Sequence, residues 1–248
     1  MTFLIPLRMD SILRLENLIL SVQALLKSFD TNITVLEASN YSNGIIPKML
    51  GNKVTYSFTE DRDSVFYRTK HLNTMTLRSV TPYIGIWDTD IIIPKEQIMD
   101  AIEKLRQGIE VAYPYDGHFY DTSSVIRELY IQNKSIRFLQ KNIAKMSLIY
   151  GPSMKGGAMF VNKEAYIQAG MENEKFYGWG PEDFERYDRW KILGLKIHHS
   201  QGPLFHLTHS RGSNSTFRSM EQTINTNKEF SITKFSSKEE LLKNIGIP

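Results

Sequence analysis

The sequence predicts an α/β fold built round a mostly parallel sheet, and three observations carry that prediction. Apolar runs at residues 2–7, 33–37, 54–58 and 83–88 have the length of buried strands. Helix-periodic or turn-rich segments separate them, an alternation that gives βαβ units and a parallel sheet. The run at 83–88 ends in Asp88-Thr89-Asp90, and in such sheets ligands bind beyond the carboxyl ends of the strands.

Residues 2–7 read as a buried first strand. Asp10 or Ser11 offers an N-cap for a helix to about residue 29, with Ile12, Leu15, Ile19, Val22 and Leu26 on one side. A strand at 33–37, a turn-rich segment at 40–51 and a strand at 54–58 follow, then a helix over 66–80. Beyond the Asp-x-Asp turn come a helix at 95–106 and a strand at 110–113. Residues 121–146 are a long amphipathic, charged helical stretch that reads as a covering helix or an insertion. Gly156-Gly157 open a strand to Val161, a place where backbone approaches a ligand or another strand closely. A short helix spans 163–169. Pro181 opens another that Gly194 stops, and a strand follows at 195–199. Residues 214–248 read as a polar extension with a weak helix at 238–244. The whole of 1–248 reads as one domain whose core is about 2–213.

Composition excludes several function classes. With 30 Lys+Arg against 27 Asp+Glu the chain is too balanced to argue for nucleic acid, though it does not oppose anionic substrates. The absence of cysteine removes disulfides, thiolate metal sites and cysteine nucleophiles together. No apolar run reaches the length of a membrane span, and the first residues lack a signal peptide's basic region. A cytoplasmic protein is the expectation.

Three clusters carry chemistry. Asp88 and Asp90 at a strand end would be costly to bury unpaired, and a hard divalent cation is the natural compensation. The plainer reading is an Asp-rich turn that caps the next helix. Trp179-Gly180-Pro181-Glu182-Asp183 sets two carboxylates at a helix N-terminus behind an aromatic, which suits sugar stacking and hydroxyl recognition. The helix dipole keeps such carboxylates ionised unless burial competes; an ordinary acidic first turn beside a core Trp is the alternative. His206-Leu207-Thr208-His209-Ser210-Arg211 offers two imidazoles for a metal and a guanidinium for phosphate. His198 and His199 face opposite ways on a strand, so a structural or exposed role is favoured for them. Together the clusters suit metal-assisted displacement of a diphosphate leaving group.

In this order the residues resemble the β-1,4-galactosyltransferase family. The resemblance is carried by Ile5-Pro6-Leu7-Arg8, by Phe66-Tyr67-Arg68-Thr69-Lys70-His71-Leu72-Asn73 and by Asp88-Thr89-Asp90 with Pro94. Gly156-Gly157, Gly178-Trp179-Gly180-Pro181-Glu182-Asp183 and His209-Ser210-Arg211 complete it, over about residues 3–213. The Trp-Gly-x-Glu-Asp theme is also similar to bacterial chondroitin-type polymerases and polypeptide N-acetylgalactosaminyltransferases. The resemblance implies a GT-A nucleotide-sugar transferase fold, Rossmann-like, with Pro6, Arg8, Phe66 and Arg68 holding uridine diphosphate. It implies Asp90 and His209 as metal ligands, with His206 where animal members carry methionine, and Mn²⁺ as the ion. Imidazole is the harder ligand and tolerates Mg²⁺ more readily. It further implies donor contact by Asp88, with Gly157 and Arg211 beside the substrate. Trp179 and Glu182 fall in the acceptor site, and Asp183 falls at the catalytic base. Asp10 departs from the pattern, standing where the family tends to have a second basic residue. Pro181 replaces a common glycine and stiffens the acceptor loop.

The implied activity is metal-dependent, inverting transfer of a hexose or N-acetylhexosamine, galactose favoured, from a UDP-sugar to a glycan or glycoconjugate hydroxyl. A lipid-linked acceptor at the inner membrane face is compatible with it. The competing expectations are a retaining transferase of the same fold, a silent sugar-binding module and a metal-dependent phosphohydrolase.

Overall fold

A strand that is buried along its whole length, β1 (Thr2–Leu7), lies near the middle of the larger of two sheets in the computed structural model. The structure describes residues 1–245 except Asn43, Arg211, Ser213 and Ser215. Beyond α1 (Ile12–Ser28), β2 (Asn32–Ser39) pairs in parallel with β1. After α2 (Ile45–Leu50), β3 (Thr55–Glu60) extends that side, again parallel. The chain then passes through α3 (Arg68–Arg78) and places β4 (Tyr83–Trp87) on the other side of β1. The strand order therefore reverses between β1 and β4, the topological switch point at which α/β sheets open a ligand crevice.

The second half completes that sheet and builds a smaller one. β5 (Ile91–Ile92), α4 (Lys95–Arg106), β6 (Val111–Tyr113) and β7 (Phe119–Asp121) precede α5 (Ser124–Asn133) and α6 (Ile136–Lys141). β8 (Ser147–Leu148) and β9 (Ala158–Asn162) follow, then α7 (Lys163–Gln168), α8 (Glu182–Leu193), β10 (Ile197–His199) and β11 (Leu204–His206). α9 (Met220–Phe235) and α10 (Lys238–Asn244) close the described chain. The large sheet runs β10-β6-β9-β4-β1-β2-β3, with β9 antiparallel to both its neighbours. The small sheet runs β5-β11-β7-β8.

Four sequence expectations are corrected. Residues 121–146 are not one helix. Asp121 ends β7, and α5 stops at Lys134 in a left-handed conformation (φ 49°) before Ser135 caps α6. The segment read only as turn-rich contains α2. The extension read as polar contains α9, a helix with a weakly apolar face whose Thr233 Oγ1 donates to buried Glu185 at 2.8 Å. On α1 Val22 is buried and Leu15 and Leu26 pack against the core as expected, but Ile12 is exposed and the buried face also takes in Leu18, Leu20 and Leu25 with Asn17 and Ser21. The polar pair is buried because it holds the small sheet in place. Asn17 Nδ2 donates to the Leu207 carbonyl at 2.7 Å, and Ser21 Oγ donates to the Ile91 carbonyl at 2.9 Å. No helix among the described residues is long and apolar enough to cross a membrane.

Beside the strand that leads to the Asp-x-Asp turn, Phe3 meets Trp87 and Phe160 edge-on with centroids 5.4 and 5.6 Å away. Gly85 makes room for this cluster, since a Cβ there would lie 2.8 Å from the Phe160 ring. Gly85→Ala is therefore expected to cost roughly 1–3 kcal/mol by overpacking. Chemical denaturation measures it, and an unchanged midpoint would contradict the packing account.

Candidate active site and metal centre

Strand register brings the first group of residues together. Antiparallel pairing sets His206 opposite Ile91, one residue past Asp90, and the Leu207 amide donates to the Asp90 carbonyl at 2.8 Å. His206 Nε2 stands 3.6 Å from Asp90 Oδ1, and His209 Nε2 stands 3.0 Å from Asp90 Oδ2. One donor atom from each of these three residues lies within 4.8 Å of the others.

Both imidazoles have their other nitrogen occupied. His206 Nδ1 lies 2.7 Å from Asp121 Oδ1, and His209 Nδ1 lies 2.9 Å from the Ser210 carbonyl. With an ion bound, the acceptor at Nδ1 keeps the ring hydrogen there and frees Nε2 to ligate; without one, His209 Nε2 lies within hydrogen-bonding reach of the Asp90 carboxylate. Two imidazole nitrogens facing one carboxylate make a site that favours positive charge, carried by ring protons or by a bound cation. Mn²⁺ fits this set of one hard oxygen and two nitrogens. The electrostatics agree. Burial alone would raise the pKa of Asp90, but His206 and His209 outweigh it and hold the carboxyl well below its usual range. Burial alone would lower the pKa of His206, but Asp90 and Asp121 push it up to about 10.

Asp121 carried no recognisable signal in the sequence. Only the parallel β11/β7 register, which sets His206 beside Asp121, reveals it.

The second group surrounds the N-terminus of α8. Arg186 Nη2 donates to Asp183 Oδ1 at 2.6 Å, and Arg186 Nη1 donates to both oxygens of buried Glu172 at 2.7 Å. Tyr166 Oη donates to the same Glu172 at 2.5 Å. Asp183 Oδ2 is left over Gly156, where an added Cβ would come within 2.4 Å of it. Gly156 therefore makes room for the Asp183 carboxylate. Gly157, singled out from the sequence, lines the cleft; a Cβ on it would strike Phe119 at 2.8 Å. Glu182 Oε2 is buried with no hydrogen-bond partner among the described residues. Here burial overrides the helix dipole: burial first, then the Asp183 charge, pushes the Glu182 carboxyl up to about 8.

Arg68 joins the two groups. Its Nη2 donates to Asp88 Oδ1 at 2.7 Å, while Nη1 faces Asp183 Oδ1 at 3.9 Å. Burial raises the pKa of Asp88, partly offset by Arg68. Pro6, Arg8, Phe66 and Trp179 line the same cleft. Arg8 is fully engaged, with Nε on the Ala38 carbonyl, Nη1 on the Asp63 carbonyl and Nη2 on Asp61 at 2.7 Å. Its guanidinium sits 5.6 Å over the Phe66 ring. Trp179 packs edge-on against Phe217. Arg211 lies outside the described residues.

His198 and His199 stay out of the cleft. His198 pairs with Asp100 at 2.8 Å, and His199 stacks on Tyr113 with centroids 4.7 Å apart. One further cation does line it. Arg14, from the first turn of α1, was not singled out in the sequence. Its only sequence signal is a position four residues after Asp10 on a capped helix.

Two outcomes follow from this geometry. Asp121→Asn keeps the fold but loosens the hold on His206, and is expected to weaken Mn²⁺ binding about 10- to 100-fold in a calorimetric titration. Burial pushes the Glu182 carboxyl up to about 8 from an ordinary 4.5, so the native state holds its proton more tightly. The stability this contributes is complete below the ordinary value and is lost as pH rises through about 8. Glu182→Gln should therefore unfold at a higher temperature than the parent at pH 9 and close to it at pH 4.5.

A family model described as the N-terminal domain of galactosyltransferase matches residues 141–211, less than a third of the chain. No curated protein sequence matches. The catalytic domain of Drosophila β1,4-galactosyltransferase 7, solved with xylobiose, superposes with a TM-score of 0.57 at 14% identity. The match covers 96% of this chain and 83% of that one. The mannosyltransferase PcManGT of Pyrobaculum calidifontis, solved with GDP-Man and Mn²⁺, superposes with a TM-score of 0.54 at 14% identity, over 85% of this chain. The present chain spans 57% of the mannosyltransferase chain. The chain thus has the GT-A glycosyltransferase fold, and its residues 141–211 carry the galactosyltransferase pattern that its motifs resemble.

Proposed function

We propose that the protein is a metal-dependent, inverting glycosyltransferase that moves a hexose or N-acetylhexosamine from a UDP-sugar to a glycan hydroxyl. One observation carries the reading. A three-ligand cation site (Asp90, His206, His209) and an arginine-braced carboxylate (Asp183) line one cleft, linked by Arg68. Galactose is favoured through the galactosyltransferase match at 141–211.

Asp90, His206 and His209 would hold a divalent cation, whose positive charge would stabilise the diphosphate leaving group. Everything else falls to the chain. Phe66, backed by Arg8, offers an aromatic face to the uracil at the end of β1. Arg68 holds Asp88 beside the donor and tempers the negative charge that Asp88 and Asp183 present to each other. Trp179 stacks the acceptor ring, and the unpartnered Glu182 Oε2 takes up one of its hydroxyl groups. Arg186 fixes Asp183 through Oδ1, so Oδ2 removes the proton of the attacking hydroxyl. That oxygen forms the new bond to the anomeric carbon as the bond to the diphosphate oxygen breaks, and UDP leaves with the electron pair. The entering oxygen approaches opposite to the leaving one, which inverts the anomeric centre.

A retaining transfer is the second reading. It is favoured by the 2.6 Å ion pair, which spends one Asp183 oxygen on Arg186. The anomeric configuration of the product, read by NMR, separates the two. Residues 1–248 act as one catalytic domain in this proposal, with Mg²⁺ as the alternative ion. The setting is cytoplasmic, and the glycan acceptor is open to a lipid-linked form at the membrane face.

The test is UDP release across four UDP-hexoses and UDP-N-acetylhexosamines, with Mn²⁺ or EDTA and a panel of acceptor sugars. Release from one donor that requires Mn²⁺ and rises with acceptor is the expected result. Release indifferent to every acceptor would favour a hydrolase, and nucleotide binding without turnover a silent binding module. Asp183→Asn should lower acceptor-dependent turnover by roughly 10²–10⁴ while leaving UDP affinity within a few-fold. Near-normal turnover in that variant would remove Asp183 from the role of base.

A further inference from the structure

We propose that Arg14, clamped by Asp10, is a protein side chain that grips the donor diphosphate beside the metal ligands. The inference rests on the UDP-sugar reading above. Both oxygens of Asp10 hold the guanidinium, with Nε donating to Oδ1 at 2.8 Å and Nη2 to Oδ2 at 3.2 Å. Nη1 has no hydrogen-bond acceptor among the described residues and is turned toward Asp90 Oδ2, 4.0 Å away. The side chain is 14% exposed and lines the cleft.

That arrangement is incomplete as it stands. Asp90 is also the carboxylate that His206 and His209 face. Once a divalent cation claims that oxygen, Nη1 stands beside a second positive charge with no anion of its own. A phosphate oxygen between the guanidinium and the cation satisfies both, and the planar fork of arginine is the side chain best matched to it.

The same geometry explains the departure at Asp10. An acidic residue there is a poor phosphate ligand but a good clamp for a cation one helical turn later. The basic group that the strand end lacks is supplied instead by α1. Ser11, the N-cap of that helix, accepts from the Arg14 amide at 3.2 Å and fixes where the turn begins.

The experiment uses the full chain with Mn²⁺ present. UDP binding is measured by calorimetry and uridine binding by ligand-observed NMR, for the parent, Arg14→Ala, Arg14→Lys and Asp10→Asn. Thermal unfolding and Mn²⁺ titration without nucleotide serve as controls for the fold and the metal site. Arg14→Ala should weaken UDP roughly 10- to 100-fold and leave uridine unchanged. Its Mn²⁺ affinity should hold or rise, because a nearby cation has been removed. Arg14→Lys should recover only part of the loss, and Asp10→Asn should fall between parent and alanine variant. UDP affinity equal to the parent's in Arg14→Ala would overturn the proposal. So would an equal loss for uridine, or full recovery with lysine. If the parent binds neither UDP nor GDP, the donor reading itself fails and takes this inference with it.

Discussion

Two imidazole nitrogens and a carboxylate turned toward one another are the constraint on which the rest of this structure depends. Such a cluster favours positive charge, on the rings or between them, and every element round it holds it in place. The short β5/β11 pairing fixes where His206 stands relative to Asp90. Asp121 and the Ser210 carbonyl fix which nitrogen of each ring points inward. Asn17 and Ser21 on α1 accept a polar place in the interior in order to hold the Leu207 and Ile91 carbonyls. Trp87 completes the tie by donating its indole hydrogen to Ser21 at 2.9 Å. The small sheet thus joins the histidine segment to the carboxyl end of the large one, where the strand order reverses.

The other end of the cleft rests on a different kind of order. Arg186 and Glu172 form an ion pair with side chains 1% and 0% exposed. Burying such a pair gives little net stability, because desolvation offsets most of the attraction; removing one partner is far more costly. Its consequence here is positional. Glu172 holds the guanidinium, the guanidinium holds Asp183, and Gly156 leaves the space into which the free oxygen points. Arg68 then couples this carboxylate to Asp88, so the two ends of the cleft share one guanidinium.

The strands of the large sheet and most helices were legible because their apolar runs and caps are local features: Thr2–Leu7, Tyr83–Trp87 and the Gly194 stop lie where the sequence places them. The small sheet was not legible. β5 and β8 have two residues each and β7 and β11 three, too short for any periodicity, and their pairing is long-range. The same limit applies to the site. Asp90, His206, His209, Trp179 and Asp183 sit in recognisable motifs, and the structure places all of them round one cleft. Asp121 and Glu172 act through partners 85 and 14 residues away, and nothing adjacent to them in sequence announces the partnership. Arg14 was hidden by its neighbour, since Asp10 alone reads as the loss of a basic residue. Glu182 shows two local effects in competition. The helix N-terminus favours its charge, and only the folded environment reveals that burial wins.

Anomalous diffraction from crystals grown with Mn²⁺ and UDP tests the central claim most directly, because it locates the ion without reference to turnover. The account requires one strong manganese peak at bonding distance, about 2.0–2.3 Å, from an Asp90 oxygen and from Nε2 of both His206 and His209. A peak elsewhere in the cleft, or one bound to Asp88 while the imidazoles stay hydrogen-bonded to Asp90, would contradict it.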